Sequence, residues 1–218
     1  MIDWKKIDTV LLDMDGTLLD LNFDNHFWQE FVPMKFAEKS SISVEMAKRQ
    51  LEPRFKSMEG KLEWYCLDYW SEVLALDILG LKAEISGLIT VLPHVTEFLD
   101  KVKSSSKQLY LVTNAHRGSL GLKMEKTCLQ SFFDAIICSH DFGFAKEQDG
   151  FWSMLETHRP FDKQRTLLVD DSLAVLRSAR QYGIEHLISV SKPDSTRQKR
   201  QIKEFPAIED FRELMPGL

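Results

Sequence analysis

A chain of 218 residues is long enough to bury a substantial core and has room for one domain, or for one domain carrying a smaller insert. Its 44% hydrophobic and 28% charged residues are ordinary for a globular protein, and a formal net charge of −5 offers nothing to a nucleic acid polymer. The start lacks the positive end and long apolar run of a secretory signal, no segment reads as a membrane span, and Cys66, Cys128 and Cys138 have no paired spacing. A cytoplasmic protein without membrane association, disulfide framework or zinc site is therefore expected.

In chain order, residues 7–12 (IDTVLL) form a short run of strand formers that ends in Asp13, Asp15 and Gly16, as a buried parallel strand running into a loop does. Residues 19–90 break the strand rhythm. They are helix-patterned and rich in aromatics, among them Phe27, Trp28, Phe31, Phe55, Trp64, Tyr65, Tyr69 and Trp70, which predicts a small helical bundle with its own core. Helical patterns then follow at His94–Lys103, Ser119–Thr127, Phe151–His158 and Ala174–Tyr182, the last stopped by Gly183. They alternate with strand patterns at Gln108–Thr113, Ala135–Cys138, Thr166–Val169 and His186–Val190. The alternation predicts an α/β fold, a doubly wound parallel sheet built from residues 1–18 and 91–218, with the helical cap of residues 19–90 inserted after the first strand. In the tail from Lys192, the basic cluster Arg197, Lys199, Arg200 and Lys203 reads as a solvated helix face, and FPAIEDFRELMP as a closing helix.

In open α/β sheets the ligand crevice lies beyond the carboxyl ends of the strands, and here those ends are loaded. Asp13 and Asp15 follow the first strand, Thr113 and Asn114 close the second, Lys146 follows the third after a loop, and Asp170 with Asp171 ends the fourth. Four carboxylates in one crevice repel one another, so the pattern implies a hard divalent cation with oxygen ligands, Mg²⁺ being the natural candidate. Lys146 would face an anionic substrate, and the Thr113 hydroxyl beside backbone N–H groups suits phosphate oxygens. Neighbouring polar residues have plainer readings: Asp20 and Asp24 as turn or cap formers, His140 and Asp141 as loop residues, His26 and Trp28 as core. His116 either contacts substrate or starts a helix.

Asp-Met-Asp-Gly-Thr at residues 13–17, followed in order by Thr113-Asn114, Lys146 and Asp170-Asp171, resembles the haloacid dehalogenase superfamily from end to end. The resemblance implies that Asp13 is a covalent nucleophile that carries an aspartyl-phosphate and binds Mg²⁺ through its other oxygen. It implies that Asp15 protonates the leaving alkoxide, then activates water, and reaches the metal by its backbone carbonyl. Thr113 and the Asn114 backbone would hold the phosphoryl group and Lys146 would neutralise it; Asp171 would ligate the metal directly, with Asp170 as a second or water-mediated ligand. The stretches DTVLLDMDGTLLDLNFDNHFW, LEWYCLDYWSEVLALDI, TNAH and KPDS are similar to bacterial purine 5′-nucleotidases acting on GMP and IMP. This second likeness implies a purine nucleoside monophosphate as the small phosphorylated substrate. Trp64, Tyr65 and Trp70 then offer flat surfaces for a base, or else only pack the insert. Phosphoglycolate or a sugar phosphate is the alternative substrate. A phosphomutase shares every core motif, a dehalogenase needs neither Asp15 nor the Asp170-Asp171 pair, and a non-catalytic module would be expected to lack a core residue where none is missing.

Overall fold

The computed structural model describes residues 2–218. Its centre is a six-stranded parallel sheet in the order β3-β2-β1-β4-β5-β6, with strands β1 Thr9–Leu12, β2 Gln108–Thr113, β3 Ala135–Cys138, β4 Thr166–Asp170, β5 His186–Val190 and β6 Ala207–Ile208. Alternate residues of each strand point to opposite faces, so each strand serves two cores. Val10, Leu12, Leu109, Leu111, Leu167 and Val169 belong to one, with Phe98, Leu99 and Phe211 packed against them. Leu11, Tyr110, Val112 and Leu168 belong to the other, with Phe151, Trp152, Val175 and Leu176. Both faces being covered is why β1 and β4 are apolar runs rather than alternating ones.

The chain leaves the sheet and returns side by side: the Leu92 amide donates to the Leu18 carbonyl and the Asp20 amide to the Thr90 carbonyl, both at 2.9 Å. Between these points lie helices α1 Asn22–His26, a π-helical turn at Phe27–Phe31, α2 Val32–Ser40, α3 Val44–Met58, α4 Leu62–Tyr65, α5 Leu67–Leu74 and α6 Ile78–Glu84. They enclose a third hydrophobic cluster around Phe27, Leu51 and Trp70. The remaining helices, α7 Val95–Lys103, α8 Arg117–Thr127, α9 Asp149–His158 and α10 Leu173–Tyr182, flank the sheet within two residues of the predicted starts. Gly183 ends α10 with φ +103°, a left-handed conformation that favours glycine.

The tail differs from expectation. Pro206 precedes a two-residue strand, β6, paired with Ser189 and Val190, and Phe211–Leu214 is a single 3₁₀ turn rather than a closing helix. That turn buries Phe211 and Leu214 at i,i+3 spacing and is held by a capping box between Asp210 and Glu213, so no longer helix is needed to hide its apolar face. The basic cluster is not helical either. Its side chains diverge: Arg197 pairs with Asp194 at 3.2 Å, Lys199 with Glu209 at 2.7 Å, and Arg200 with Asp171 at 3.2 Å.

Candidate active site

β1 and β4 are neighbours, so their carboxyl ends bring Asp13 beside Asp170 and Asp171. The Asp13 amide donates to the Val169 carbonyl at 3.0 Å, which fixes the start of the loop against β4. Gly16 turns that loop with φ +83°, and a Cβ there would lie 2.7 Å from Asp171 Cγ. The glycine is thus required twice, by conformation and by space.

Lys146 is buried at the bottom of the site. Its ammonium donates to Asp13 Oδ1 at 2.6 Å, Asp170 Oδ2 at 2.7 Å and the Val112 carbonyl at 3.0 Å. All three of its protons are engaged by these contacts, so it braces Asp13 and Asp170 before it faces any ligand. Although burial pushes its pKa down, Asp13 and Asp170 raise it above the ordinary lysine value, and the side chain is a fixed cation. Burial raises the carboxyl pKa values of Asp13 and Asp170 to about 6 and that of Asp171 to about 7, with neighbouring carboxylates adding to the shift. One oxygen from each of Asp13, Asp170 and Asp171 falls within 4.8 Å of the others, a spacing able to hold a metal ion. The donors are all hard oxygens crowded against their own charge, which fits a hard divalent cation.

Asp15 faces a different partner. Lys123 on α8, also buried, donates to Asp15 Oδ1 at 2.7 Å and to Asp24 Oδ2 at 2.6 Å, while Lys82 on α6 donates to Asp24 Oδ1 at 2.6 Å. Asp24 is therefore the centre of a buried ion ladder rather than a turn former. Burial would raise its pKa, but the two lysines hold it well below the usual carboxylate range. Asp15 is pushed up to about 6, chiefly by burial, against the pull of Lys123. Asp20 behaves as expected of a turn former, accepting from the amides of Asn22 at 3.0 Å and Ser195 at 3.1 Å.

The Thr113 hydroxyl oxygen accepts from the Ala115 amide at 3.0 Å, which leaves its proton to point at a ligand. Asn114 is clamped: its Oδ1 accepts from the Lys146 amide at 2.9 Å and its Nδ2 donates to Glu147 at 2.9 Å. The Tyr65 hydroxyl donates to the other oxygen of Glu147 at 2.6 Å. Sequence reasoning did not single out Glu147, Lys123 or Lys82, because each acts through partners distant in the chain; for Lys82 and Lys123 the clue it passed over was charge on the buried face of a helix.

These groups open onto a cavity of about 750 Å³ that runs from Asp13 up to Trp28, Phe55, Trp64 and Tyr65. Trp70 does not reach it as a free face: it is fully buried, with Trp28, Phe55, Trp64 and Tyr69 rings 5.0–6.0 Å away. Of the three proposed base platforms, only Trp64 and Tyr65 line the cavity, joined by Trp28, which sequence pattern assigned to the core. His116 caps α8, accepting from the Gly118 amide at 3.3 Å, and also borders the cavity. His140 and Asp141 sit in a short 3₁₀ turn, where Asp141 pairs with Arg117.

A parallel sheet carrying two aspartates after its central strand, a threonine and lysine beside it and two more aspartates on the neighbouring strand defines a class. The chain belongs to the haloacid dehalogenase-like hydrolases, whose family model matches residues 10–189. Over 217 residues, 100% of this chain and 98% of the relative, it is 40% identical to the GMP/IMP nucleotidase YrfG of Escherichia coli (strain K12). It is also 25% identical over 215 residues to the phosphoglycolate phosphatase of Agrobacterium fabrum, covering 95% of this chain and 91% of that one. Among solved structures, the HAD phosphatase from Thermococcus onnurineus has the same fold, with a TM-score of 0.79 and 20% identity over 96% of this chain and 97% of that one. The protein is accordingly an enzyme, a phosphatase of this family.

Proposed function

We propose that the protein is a cytoplasmic phosphomonoesterase that passes the phosphoryl group of a purine nucleoside 5′-monophosphate, GMP or IMP, first to Asp13 and then to water. The observation that carries the chemistry is the placement of Asp13, braced by Lys146, at the floor of the cavity, with Asp15 two residues on and engaged by a separate lysine. The purine rests on the full-length likeness to the nucleotidase and on a cavity too large, and too aromatic at its far end, for a two-carbon ester to fill.

Lys146 holds one oxygen of Asp13, which leaves the other to attack phosphorus. A bond forms between that oxygen and phosphorus as the ester P–O bond breaks, and Asp15 gives its proton to the departing 5′-oxygen. Water then attacks the aspartyl-phosphate, Asp15 takes its proton, and inorganic phosphate leaves with Asp13 restored. The Thr113 hydroxyl and the Asn114 backbone N–H hold the phosphoryl oxygens through both steps. Asp13, Asp170, Asp171 and the Asp15 carbonyl are the residues that would hold Mg²⁺, which when bound supplies charge to offset that of the phosphate. Residues 19–90 act as a cap that encloses the nucleoside, with Trp28, Trp64 and Tyr65 against the base.

Phosphate release with Mg²⁺ from a panel of nucleoside monophosphates, phosphoglycolate and sugar phosphates tests the assignment. GMP and IMP should exceed every other substrate in kcat/KM by at least about tenfold, the equivalent of roughly 1.4 kcal/mol. A preference for phosphoglycolate would overturn the purine, and no release from any member would overturn the hydrolase.

A further inference from the structure

Cys66 and Asp68 come together with His116, a residue that borders the cavity, although nothing in their spacing pairs them. Cys66 is the N-cap of α5, Asp68 lies in the first turn of that helix, and His116 is the N-cap of α8, two residues beyond Asn114. A sulfur, a carboxylate oxygen and an imidazole nitrogen from the three fall within 4.8 Å of one another. We propose that these residues form a second cation site, for a transition ion of the Zn²⁺ class, that ties α5 to α8 beside the cavity.

The donor set separates this site from the three aspartates. Thiolate and imidazole favour borderline ions such as Zn²⁺ or Co²⁺, whereas an all-carboxylate set favours Mg²⁺. Tetrahedral coordination at about 2.0–2.3 Å places donors roughly 3.3–3.8 Å apart. His116 Nε2 and Asp68 Oδ2 are already 3.5 Å apart, and the Asp68 side chain, 87% exposed, is free to close the rest. The Cys66 sulfur accepts from the Tyr69 amide at 3.5 Å, an outer contact that orients it as such contacts orient metal-bound ligands. Behind His116 stands a second imidazole, His140, with ring centres 5.1 Å apart and an interplanar angle of 88°. Its Nε2 is buried and has no partner among the described residues. On binding, the Cys66 thiol proton passes to solvent and the His116 proton resides on Nδ1, so the 3.3 Å contact from the Gly118 amide is given up. A water completes the coordination. Cysteine spacing in the sequence could not reveal this set, because its ligands come from two places far apart in the chain, the N-termini of α5 and α8.

The test uses the full chain, stripped of metal and returned to excess Mg²⁺, and titrated with Co²⁺ alone. The expected result is a near-ultraviolet thiolate-to-cobalt charge-transfer band, which oxygen ligands cannot produce, and its bleaching by Zn²⁺. Cys66→Ser should abolish the band, while Cys128→Ser, at an exposed and distant position, should keep it. His116→Gln, read independently, should weaken Co²⁺ binding by at least about tenfold, so the test survives if Cys66→Ser fails to fold. Absence of the band from the wild-type protein, its persistence in Cys66→Ser, its loss in Cys128→Ser, or unchanged Co²⁺ affinity in His116→Gln would overturn the proposal.

Discussion

Asp13 and Asp15 are the same side chain two residues apart, and their neighbours divide the labour between them. Lys146 pins one oxygen of Asp13 and is itself held by Asp170 and a carbonyl, so Asp13 is oriented by buried contacts of the protein's own. Asp15 is held instead by Lys123, which is shared with Asp24. If Asp15 is the acid, Asp15→Asn should cripple the burst of nucleoside from GMP far more than the burst of nitrophenol from p-nitrophenyl phosphate, whose phenolate leaves with little help. The single-turnover burst is the proper readout, because the second step also needs Asp15. Equal losses would mean that Asp15 acts by position or charge. At this scale Asp13, Thr113, Asn114, Asp170 and Asp171 were legible in the sequence because each lies at or just past the end of a strand. Asp24 was not, since its role depends on Lys82 and Lys123, 58 and 99 residues away.

The aromatic cluster of the helices between residues 22 and 88 separates packing from contact within one set of side chains. Trp70 is enclosed on every side, while Trp64 touches the same cluster with part of its ring and presents the rest to the cavity. Trp70→Ala should cost about 3–5 kcal/mol in denaturant unfolding. Trp64→Ala should cost less stability and raise KM for GMP several-fold; the reverse pattern would show that the base does not rest there. Composition alone could not separate the two, because an indole that packs and an indole that binds follow the same helical period. The parallel strands read more clearly, since burial on both faces leaves an apolar run with a sharp polar end. The tail misled for a related reason. Phe211 and Leu214 show helical spacing, but one 3₁₀ turn satisfies it, and Ala207–Ile208 becomes a strand only because β5 offers an open edge.

Across the whole molecule, three aspartates crowded at the sheet's carboxyl end, two of them buried, are a cost to the fold that a bound cation would relieve. Mg²⁺ at about 100 times its dissociation constant should stabilise the protein by roughly 2.7 kcal/mol, or about 5–10 °C in Tm for a chain of this size. The shift should be lost in Asp171→Ala, and chelation by EDTA should silence turnover. Full activity in the chelator, or an undiminished shift in the variant, would remove these carboxylates as the metal site. The central claim, that Asp13 takes the phosphoryl group, is tested most directly by phosphate release from GMP with Asp13→Asn, its fold checked by circular dichroism. The account requires a loss of at least about 100-fold in a folded protein, a barrier increase of roughly 2.7 kcal/mol or more. A folded Asp13→Asn that retains more than about one per cent of wild-type turnover would contradict it.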